Sequence, residues 1–469
     1  MYRGKGQGFG QRFDPPEPSP YLVKLLPHCQ NLNRSKVTLA HIRNDIKANM
    51  INTKAVRPTS VYMDEAIRRA SRAFHLQERV PLLHLNDVFK QEDLPIWSSS
   101  PGLPWSQIGY KAKRDIKQDP HAIQSVRWFW HRIKCGQNIE LPDCCAYVRS
   151  HICEVGETKV RAVWGYPATV TFGEAVFALP LIRAYQKQST PIAYGFETGN
   201  KGMRKIFERF KGNNFLGIDF KSFDKTLPAW LIRVAFDILA SNLDFTKYQD
   251  TGTPLVGSML RMYEVLVNYC INTKIRMCNG ERYQKSAGLA SGSYFTQLIG
   301  SICNYILLTY AVLKLNGEIK DILVFGDDSL MSVTEDIRLD DVAVVLDELG
   351  MIVNVAKSGS SRYIENLSFL GYQINGGTPS RPFEKQLAGL VWPERPDRTW
   401  DDCASRALGI MYANLGVDPV IDKWCRQIVN FRPFELAFTR DQQRFLDIHQ
   451  FKIVNTDPPD MMDFLFRLL

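Results

Sequence analysis

The sequence predicts an α+β fold, and three features carry the prediction. Two short segments, residues 215–218 and 322–325, are apolar on both faces of a strand, and an acidic residue follows each of them closely. Residues 293–313 contain no charged side chain and predict a buried helix. The chain from Glu384 onward is mostly helical by pattern. Together these segments predict a protein that combines buried strands with helices.

Size and composition are those of a globular protein. The chain has 469 residues, of which 45% are hydrophobic and 23% charged, so it can bury a large core in two or three domains or in one multi-lobed domain. The formal net charge of +9 favours polyanionic partners such as nucleic acid. The ten cysteines show neither C-x-x-C pairs nor zinc-ligand spacing, which favours a reducing compartment.

Two segments resemble targeting signals without matching them. Residues 1–20 are Gly-rich and then Pro-rich and lack an apolar signal core, so they predict a flexible arm that either contacts RNA or is disordered. Residues 293–313 are long enough to cross a bilayer. However, polar side chains such as Gln297 would be costly in lipid, so we expect a buried helix and no membrane partner.

Paired acids follow the second apolar segment, in Gly326-Asp327-Asp328. An ordinary surface hairpin has the same composition, but the apolar flank suggests a strand that delivers the acids to an interior cleft. Asp219 and Asp224 follow the first apolar segment. Two strands that each end in a carboxylate are what a Mg²⁺ site requires, because Mg²⁺ binds one or two protein carboxylates together with water and substrate phosphate. Two such ions about 4 Å apart clamp the attacking and leaving oxygens of a displacement at phosphorus.

Small residues lie between the two acidic segments. Residues 285–292 form a loop whose backbone can approach a ligand closely, or simply a Gly-rich entry to the uncharged helix. After the acids, residues 338–350 predict an amphipathic helix that stops at Gly350 and leads through a strand to Lys357.

The ordered set of motifs resembles a known family. Asp219 with Asp224, Ser291-Gly292 with Thr296, and the Gly-Asp-Asp triplet resemble motifs A, B and C of viral RNA-dependent RNA polymerases. The segments "SGSYFTQLIGSICN" and "SSSPGLPW" look most like the polymerases of partitiviruses, the small segmented double-stranded RNA viruses of plants and fungi. The resemblance covers residues 97 to about 372.

The resemblance implies a right-hand polymerase with an antiparallel palm sheet, mixed α/β fingers and a helical thumb. The predicted divisions are an N-terminal arm and extension (1–59), fingers (60–210 and 246–285), palm (211–245 with motif A, and 286–384 with motifs B to E) and thumb (385–469). Residues 369–374 match the strand that supports the primer 3′ end.

The resemblance also implies roles for individual residues. The predicted catalytic residues are Asp219, Asp327, Asp328 and Lys357; the first three are the metal ligands, and Lys357 is the candidate acid that protonates pyrophosphate unless it is only a solvated lysine. The residues predicted to bind the NTP and its ribose are Asp224, Ser291, Gly292, Thr296, Asn304, Lys159, Arg161 and Arg149.

Two of these assignments also have a physical basis. Lys159 and Arg161 are two residues apart in an extended segment, so their side chains share one face and could neutralise phosphate oxygens. The alternative is an exposed basic strand edge with no bound phosphate. Ser99 and Gly102 lie in "SSSPGLPW", a segment similar to the loop that guides template entry and predicted to bind template; a plain structural loop is the alternative.

One position departs from the pattern of positive-strand RNA virus polymerases, which place an Asn nine residues after the motif B Ser. Here that position is Gly300, and Asn304 lies one helical turn further on the same face. We expect Asp224 to dominate recognition of the ribose 2′-hydroxyl, aided by Ser291 and Thr296, with Asn304 supporting Asp224.

The implied activity is replication and transcription of a viral double-stranded RNA genome by two-metal nucleotidyl transfer. The expected cofactor is Mg²⁺, two ions, with Mn²⁺ as a possible substitute. The expected partners are template RNA, nascent RNA, NTPs, a viral capsid protein and genomic double-stranded RNA, in the virion interior and the host cytoplasm.

Two rival functions share some of these features. A reverse transcriptase has the same palm acids, but it typically carries an aromatic gate against the 2′-hydroxyl, and the Ser291-Gly292 and Thr296 pattern argues against it. An inactive RNA-binding protein of a viral particle would keep the fold, but buried carboxylates without metal are costly.

Overall fold

The computed structural model describes residues 1–50 and 55–469 of the chain. Residues 51–54, which belong to the predicted N-terminal extension, lie outside the described residues.

The strands are short, and most of them lie in the middle of the chain. They are β1 (Tyr2–Lys5), β2 (Leu32–Arg34), β3 (Val80–Leu82), β4 (Cys144–Ser150), β5 (Ile152–Glu154), β6 (Val160–Gly165), β7 (Phe215–Gly217), β8 (Phe220–Lys221), β9 (Leu243–Tyr248), β10 (Lys274–Arg276), β11 (Glu281–Gln284), β12 (Ile319–Phe325), β13 (Asp328–Val333), β14 (Ile352–Val353), β15 (Gly359–Ser361), β16 (Ser368–Phe369) and β17 (Tyr372–Gln373).

The helices occur along the whole described chain. They are α1 (Leu39–Ala48), α2 (Val61–Ala73), α3 (Leu85–Val88), α4 (Lys113–Lys117), α5 (Pro120–Lys134), α6 (Ala168–Lys187), α7 (Gly202–Arg209), α8 (Phe223–Thr226), α9 (Ala229–Ser241), α10 (Val256–Ile271), α11 (Thr296–Lys314), α12 (Leu339–Asp347), α13 (Phe383–Val391), α14 (Trp400–Asn414), α15 (Pro419–Val429), α16 (Arg440–Ile448) and α17 (Met461–Leu468).

The central sheet has the strand order β12-β13-β7-β15 and is antiparallel throughout. Successive side chains of a strand face opposite sides, and both sides are covered here. Val324 and Met331 join the large core that contains α11, whereas Leu323 and Leu330 join a smaller core on the other face. This arrangement confirms the predicted α+β class and antiparallel sheet.

A second sheet includes the N-terminus. Its strand order is β1-β11-β10-β4-β6, and β1 pairs antiparallel with β11, with Tyr2 opposite Tyr283 and Lys5 opposite Glu281. Further along, the Ser19 amide donates to the Val391 carbonyl at 2.7 Å. The prediction of a disordered arm is therefore wrong for these segments, because a sheet edge supplies backbone partners that composition does not reveal.

The uncharged segment forms α11, as predicted, although the helix begins at Thr296. By length and composition α11 is the one described helix that could cross a bilayer, and 78% of its apolar window is buried inside the protein. A buried core helix passes the same test, so this is weak support for a membrane span.

The C-terminal helices α13 to α17 pack around a core of their own, which also takes in Leu22 and Cys29 from the N-terminal segment. Helices in this region agree with the sequence prediction. Residues 369–374, predicted as one strand, instead form the hairpin β16–β17, because Leu370 and Gly371 have positive φ values of 53° and 79°.

Candidate active site

The acidic turn joins β12 to β13. Phe325 pairs with Asp328, so Gly326 and Asp327 form the two-residue connection, and Gly326 has a φ of 63°. Helix α11 is hydrogen-bonded to this turn, since Ser301 Oγ accepts the Gly326 N–H at 2.9 Å. The hairpin therefore presents Asp327 and Asp328 at one end of the central sheet.

Asp219 follows the end of the neighbouring strand β7. Its N–H donates to Ser358 Oγ at 2.9 Å, and its carbonyl accepts the Asn354 N–H at 2.7 Å. These backbone bonds leave the carboxylate of Asp219 free to face the acids of the turn. They also tie Asp219 to the turn that carries Lys357, whose N–H donates to the Asn354 carbonyl.

Asp224 lies on the short helix α8 and is held by the loop of small residues. Its carbonyl accepts the Leu289 N–H at 2.6 Å. Gly288 has a φ of 76°, and a Cβ there would lie 2.7 Å from the Asp224 carbonyl oxygen. The small residues thus let the loop pass directly against the acid-bearing segment.

The acids repel one another. Burial first, and then the carboxylates of Asp327 and Asp219, raise the pKa of Asp328 to about 7. Burial and then Asp327 raise the pKa of Asp224 to about 7, against the opposing charge of Arg161. Burial and Asp219 also raise the pKa of Asp327, even though its side chain is open to the cleft. Across the described residues, no side chain donates a hydrogen bond to these four carboxylates or pairs with them as an ion.

This donor set fits Mg²⁺. Within the described ranges, no group of three or more His, Cys, Asp or Glu side chains forms a ready-made metal cage. Mg²⁺ does not need one, since it is bound by one or two carboxylates and completes its shell with water and substrate phosphates. Hard, uncompensated carboxylates that raise one another's pKa are the expected surroundings of a divalent cation.

Basic side chains lie near the acids, and the charge of Arg161 acts on both Asp224 and Asp327. Arg149 on β4 and Arg161 on β6 lie directly opposite each other in the antiparallel pair, an arrangement that is unfavourable for like charges without an anion. Burial first, and then these two arginines, lower the pKa of His151 to about 3. Burial first, and then the charges of Arg161 and Lys357, lower the pKa of Lys159.

Some of these acids and cations line one cleft of about 250 Å³, whereas Asp219, Asp328, Lys159 and Lys357 are not part of its lining. Of the predicted site residues, its lining includes Asp224, Ser291, Asp327, Arg149 and Arg161. The lining residues that the sequence reasoning missed include Asp45, Asn49, His151, Ser222, Lys225 and Arg444. Four of the eight predicted nucleotide-binding residues therefore lie at one place, and the other four, Gly292, Thr296, Asn304 and Lys159, are not part of the lining.

Asp45 shows why some lining residues escaped prediction. It lies on α1, forms an ion pair with Lys225, and accepts the Ala162 N–H at 2.7 Å. It thereby connects the segment after Asp224 to the strand that carries Arg161. A single Asp within a helix gives no local sequence signal of such a contact. Arg444 likewise reaches the cleft from α16, near the C-terminus.

The motif B loop is packed against Trp164. Ser291 Oγ accepts the Trp164 N–H at 3.4 Å, and a Cβ at Gly292 would lie 1.8 Å from the Trp164 carbonyl oxygen. Thr296 Oγ1 donates to the Ala290 carbonyl at 2.6 Å. Thr296 therefore closes the loop, which differs from the predicted contact with the ribose, while Ser291 faces the cleft.

Asn304 is not where the prediction requires. It is 0% exposed, and its Nδ2 donates to the carbonyls of Gly326 at 3.0 Å and Asp328 at 3.3 Å. Its Oδ1 has no partner in the described part of the chain. Asn304 thus holds the acidic turn instead of supporting Asp224 or binding ribose, because its position on α11 lies beneath the hairpin.

The predicted template-binding residues are anchored inside the protein. Gly102 is buried, with a φ of 63°, and a Cβ there would lie 3.0 Å from the Tyr166 carbonyl oxygen. Ser99 Oγ donates to the Ile96 carbonyl at 2.6 Å and accepts from Lys113 Nζ at 2.9 Å. Both residues shape the loop, and neither is free to grip a template in the way predicted.

Arg149 and Lys357 occupy more open positions. Arg149 lines the cleft, but its Nε also lies 3.4 Å from Asp441 and 4.0 Å from Glu394, acids of the C-terminal region. Lys357 is exposed on its turn. Its charge acts on Lys159, and its role in pyrophosphate departure stays a prediction.

An antiparallel sheet that presents acids at one end, close to basic strands, is the arrangement expected in the palm and fingers of a nucleic-acid polymerase fold. The family model for viral RNA-dependent RNA polymerases matches residues 16–404 of this chain. The chain therefore belongs to that family, as its motifs predicted.

Several relatives are similar to this chain. It is 27% identical over 331 residues to the RNA-directed RNA polymerase of Atkinsonella hypoxylon virus (isolate 2H), covering 61% of this chain and 50% of that protein. It is 28% identical over 346 residues to that of Cryptosporidium parvum virus 1 (strain KSU-1), covering 67% and 62%. The match thus spans half to three fifths of the length of these relatives. The predicted likeness to partitivirus-type polymerases is confirmed.

A solved structure has a similar fold. The crystal structure of an insertion-loop deletion mutant of a human picobirnavirus RNA-dependent RNA polymerase has a TM-score of 0.62 to this chain. The likeness covers 87% of this chain and 80% of that one, at 17% sequence identity. It confirms the predicted polymerase fold.

Proposed function

We propose that this chain catalyses template-directed RNA synthesis, in which an RNA 3′-hydroxyl attacks the α-phosphate of an NTP and pyrophosphate leaves. One observation carries the proposal: Asp327 of the acidic turn and Asp224 of α8 line one cleft together with Arg149 and Arg161. The family match supports the same activity. The biological role proposed is replication and transcription of a viral double-stranded RNA genome, which the resemblance to partitivirus polymerases implies.

The acids and the arginines have different proposed roles. Asp219, Asp327 and Asp328 would hold two Mg²⁺ ions, or Mn²⁺ in their place, and the ions supply positive charge to the attacking and leaving oxygens when bound. Arg161, with its planar fork of donors, and Arg149 bind the triphosphate. The protein contributes positioning and charge more than covalent chemistry.

The ribose of the NTP is the part that Asp224 and Ser291 would contact. Both residues line the cleft and can hydrogen-bond a ribose hydroxyl. Ser301 and Asn304 keep the acidic turn in place through the backbone of residues 326–328. Template RNA and nascent RNA are the proposed macromolecular partners, supported by the net charge of +9. A capsid protein as partner and a location in the virion and host cytoplasm stay proposals drawn from the family resemblance.

The test of this proposal is incorporation of labelled NTPs by the purified chain on a single-stranded RNA template, with Mg²⁺ or with a chelator. We expect product of template length that depends on the divalent cation. Absence of product with Mg²⁺ and Mn²⁺, with and without a primer, would contradict the proposal.

Salt dependence follows from the proposed template contacts. Affinity for single-stranded RNA should fall by about a hundredfold between about 50 and 200 mM salt, because each phosphate contact releases counterions. Two templates of unrelated sequence should lose affinity in parallel when binding is titrated by fluorescence anisotropy. A strong preference for one template with little dependence on salt would argue against a general template channel.

Two basic residues should be separable by kinetics. Lys357→Ala should slow single-nucleotide incorporation about a hundredfold with little change in NTP affinity, as expected for a general acid. Arg161→Ala should weaken NTP affinity about tenfold or more, since a phosphate clamp already acts in the ground state. Lys320→Ala, which removes an exposed lysine at the other end of β12, is the matched control. If the two effects are exchanged, the assigned roles are exchanged as well.

A further inference from the structure

Two buried ionisable side chains have no part in the mechanism above. Glu174 on α6 is 1% exposed and Lys113 on α4 is 5% exposed. Burying a charged group is costly unless it is hydrogen-bonded, so their partners indicate what they stabilise. No direct ion pair joins them within the described chain, although each charge favours the other electrostatically.

Glu174 is bound by the loop that carries Ser291. One carboxyl oxygen accepts from the Ser293 hydroxyl, and the other accepts the Tyr294 N–H at 3.2 Å. Ser293 Oγ in turn accepts the Phe295 N–H at 3.1 Å. Burial raises the pKa of Glu174 to about 8, against these hydrogen bonds and Lys113, so it carries less charge than an exposed carboxylate.

The loop is thereby fixed on both sides of Gly292. On one side, the Trp164 backbone meets Ser291 Oγ and leaves no room for a Cβ at Gly292. On the other side, Glu174 holds Ser293 and Tyr294. Loss of either restraint would let Ser291 move relative to the cleft that it lines.

Lys113 does the same for a different loop. Its Nζ donates to the Ser100 carbonyl at 2.6 Å and to Ser99 Oγ at 2.9 Å. Lys113 is therefore a matched comparison: another buried ionisable residue that anchors another loop, one whose backbone does not carry Ser291.

We propose that Glu174 is a positioning residue for selection of the ribose, because its carboxyl group fixes the loop that brings Ser291 to the nucleotide. The proposal deepens the proposed function and rests on it. Glu174 does not line the cleft, so it acts through Ser291 and not by contact with the substrate.

The test compares Glu174→Met, which keeps length but removes the acceptors, with Glu174→Gln, which keeps an acceptor for the Tyr294 N–H. The full chain is bound to template and to a primer that ends in a 3′-deoxynucleotide, so that no chemistry occurs. The measurement is the ratio of the Kd of a 2′-deoxy-NTP to that of the matching NTP. Because it is an equilibrium quantity, it reports on Glu174 even if the proposed activity fails in a separate assay.

We expect Glu174→Met to lower this ratio about tenfold, as for the loss of one well-placed hydrogen bond, and Glu174→Gln to stay near the wild-type value. In a Ser291→Ala background, Glu174→Met should change the ratio no further, a result that general loosening of the fold would not give. Lys113→Met should keep the ratio near the wild-type value.

Three results would each overturn the proposal. The first is a wild-type ratio near one, and the second is a Glu174→Met ratio equal to the wild-type ratio. The third is a loss in Lys113→Met as large as that in Glu174→Met, or a further loss of that size when Glu174→Met is added to Ser291→Ala.

Discussion

Asp327→Asn is expected to reduce nucleotide incorporation by about a thousandfold or more, because the neutral amide removes a charge that holds the divalent cations of the reaction. Asp219→Asn should have an effect of the same size, since the two carboxylates face each other and raise the pKa of their neighbour Asp328. RNA affinity should stay within about twofold, because phosphate contacts made elsewhere are retained. Asp340→Asn, which changes an exposed acid on α12, is the matched control and should behave as the wild type.

The stability of the same variants separates metal binding from folding. Burial and Asp219 raise the pKa of Asp327 on folding, so its carboxyl group binds more protons in the folded state than in the unfolded state. The free energy of unfolding therefore falls as pH rises from about 4, the unfolded pKa, through the raised pKa of the folded state. Without metal, Asp327→Asn should therefore raise the melting temperature at pH 8 and change it little at pH 4. Near-normal incorporation by both Asn variants, or a lower melting temperature at pH 8, would contradict the assignment of these acids.

Asp224→Ala should reduce the preference for an NTP over its 2′-deoxy analogue by about a hundredfold, because a site built to hydrogen-bond a hydroxyl rejects the analogue that lacks it. Asp224 lines the cleft beside Ser291, which makes it the chief acceptor available to the ribose. Competition between labelled NTP and 2′-deoxy-NTP in single-nucleotide incorporation measures the preference.

Asn304→Ala is the informative comparison. Its amide supports the carbonyls of Gly326 and Asp328, so its loss should disturb the acidic turn and slow incorporation of both nucleotides equally. The preference for the NTP should then stay near the wild-type value. If Asn304→Ala loses as much preference as Asp224→Ala, the side chain must reach the ribose in the working enzyme and the buried position in this structure is not the active one.

The elements that the sequence predicted well are those with a local signal. The apolar strands before Asp219 and Asp327, the uncharged helix and the C-terminal helices all show in the local pattern of apolar residues, which reflects burial within one element. The order of the acids and of Ser291-Gly292 then sufficed to place the family. The small residues were predicted to allow close approach to a ligand, whereas in the structure Gly288 and Gly292 lie against the backbone of Asp224 and Trp164.

The missed features depend on contacts between distant segments. Asp45, in the N-terminal region, forms an ion pair with Lys225, and β1 pairs with the edge of β11. The local composition of neither segment predicts these contacts. Asn304 and Gly102 were given the right motifs but the wrong contacts, because burial beneath a turn or against Tyr166 is decided by packing in three dimensions.

Template-directed RNA synthesis is tested most directly by measuring whether the template base determines which NTP is incorporated. The purified chain is given one homopolymeric RNA template with Mg²⁺ and one labelled NTP at a time, for each of the four bases, with Asp327→Asn in parallel. The account predicts that only the complementary NTP is incorporated on each template and that the variant incorporates none. Incorporation of the same NTP on every template, or equal incorporation by Asp327→Asn, would contradict it.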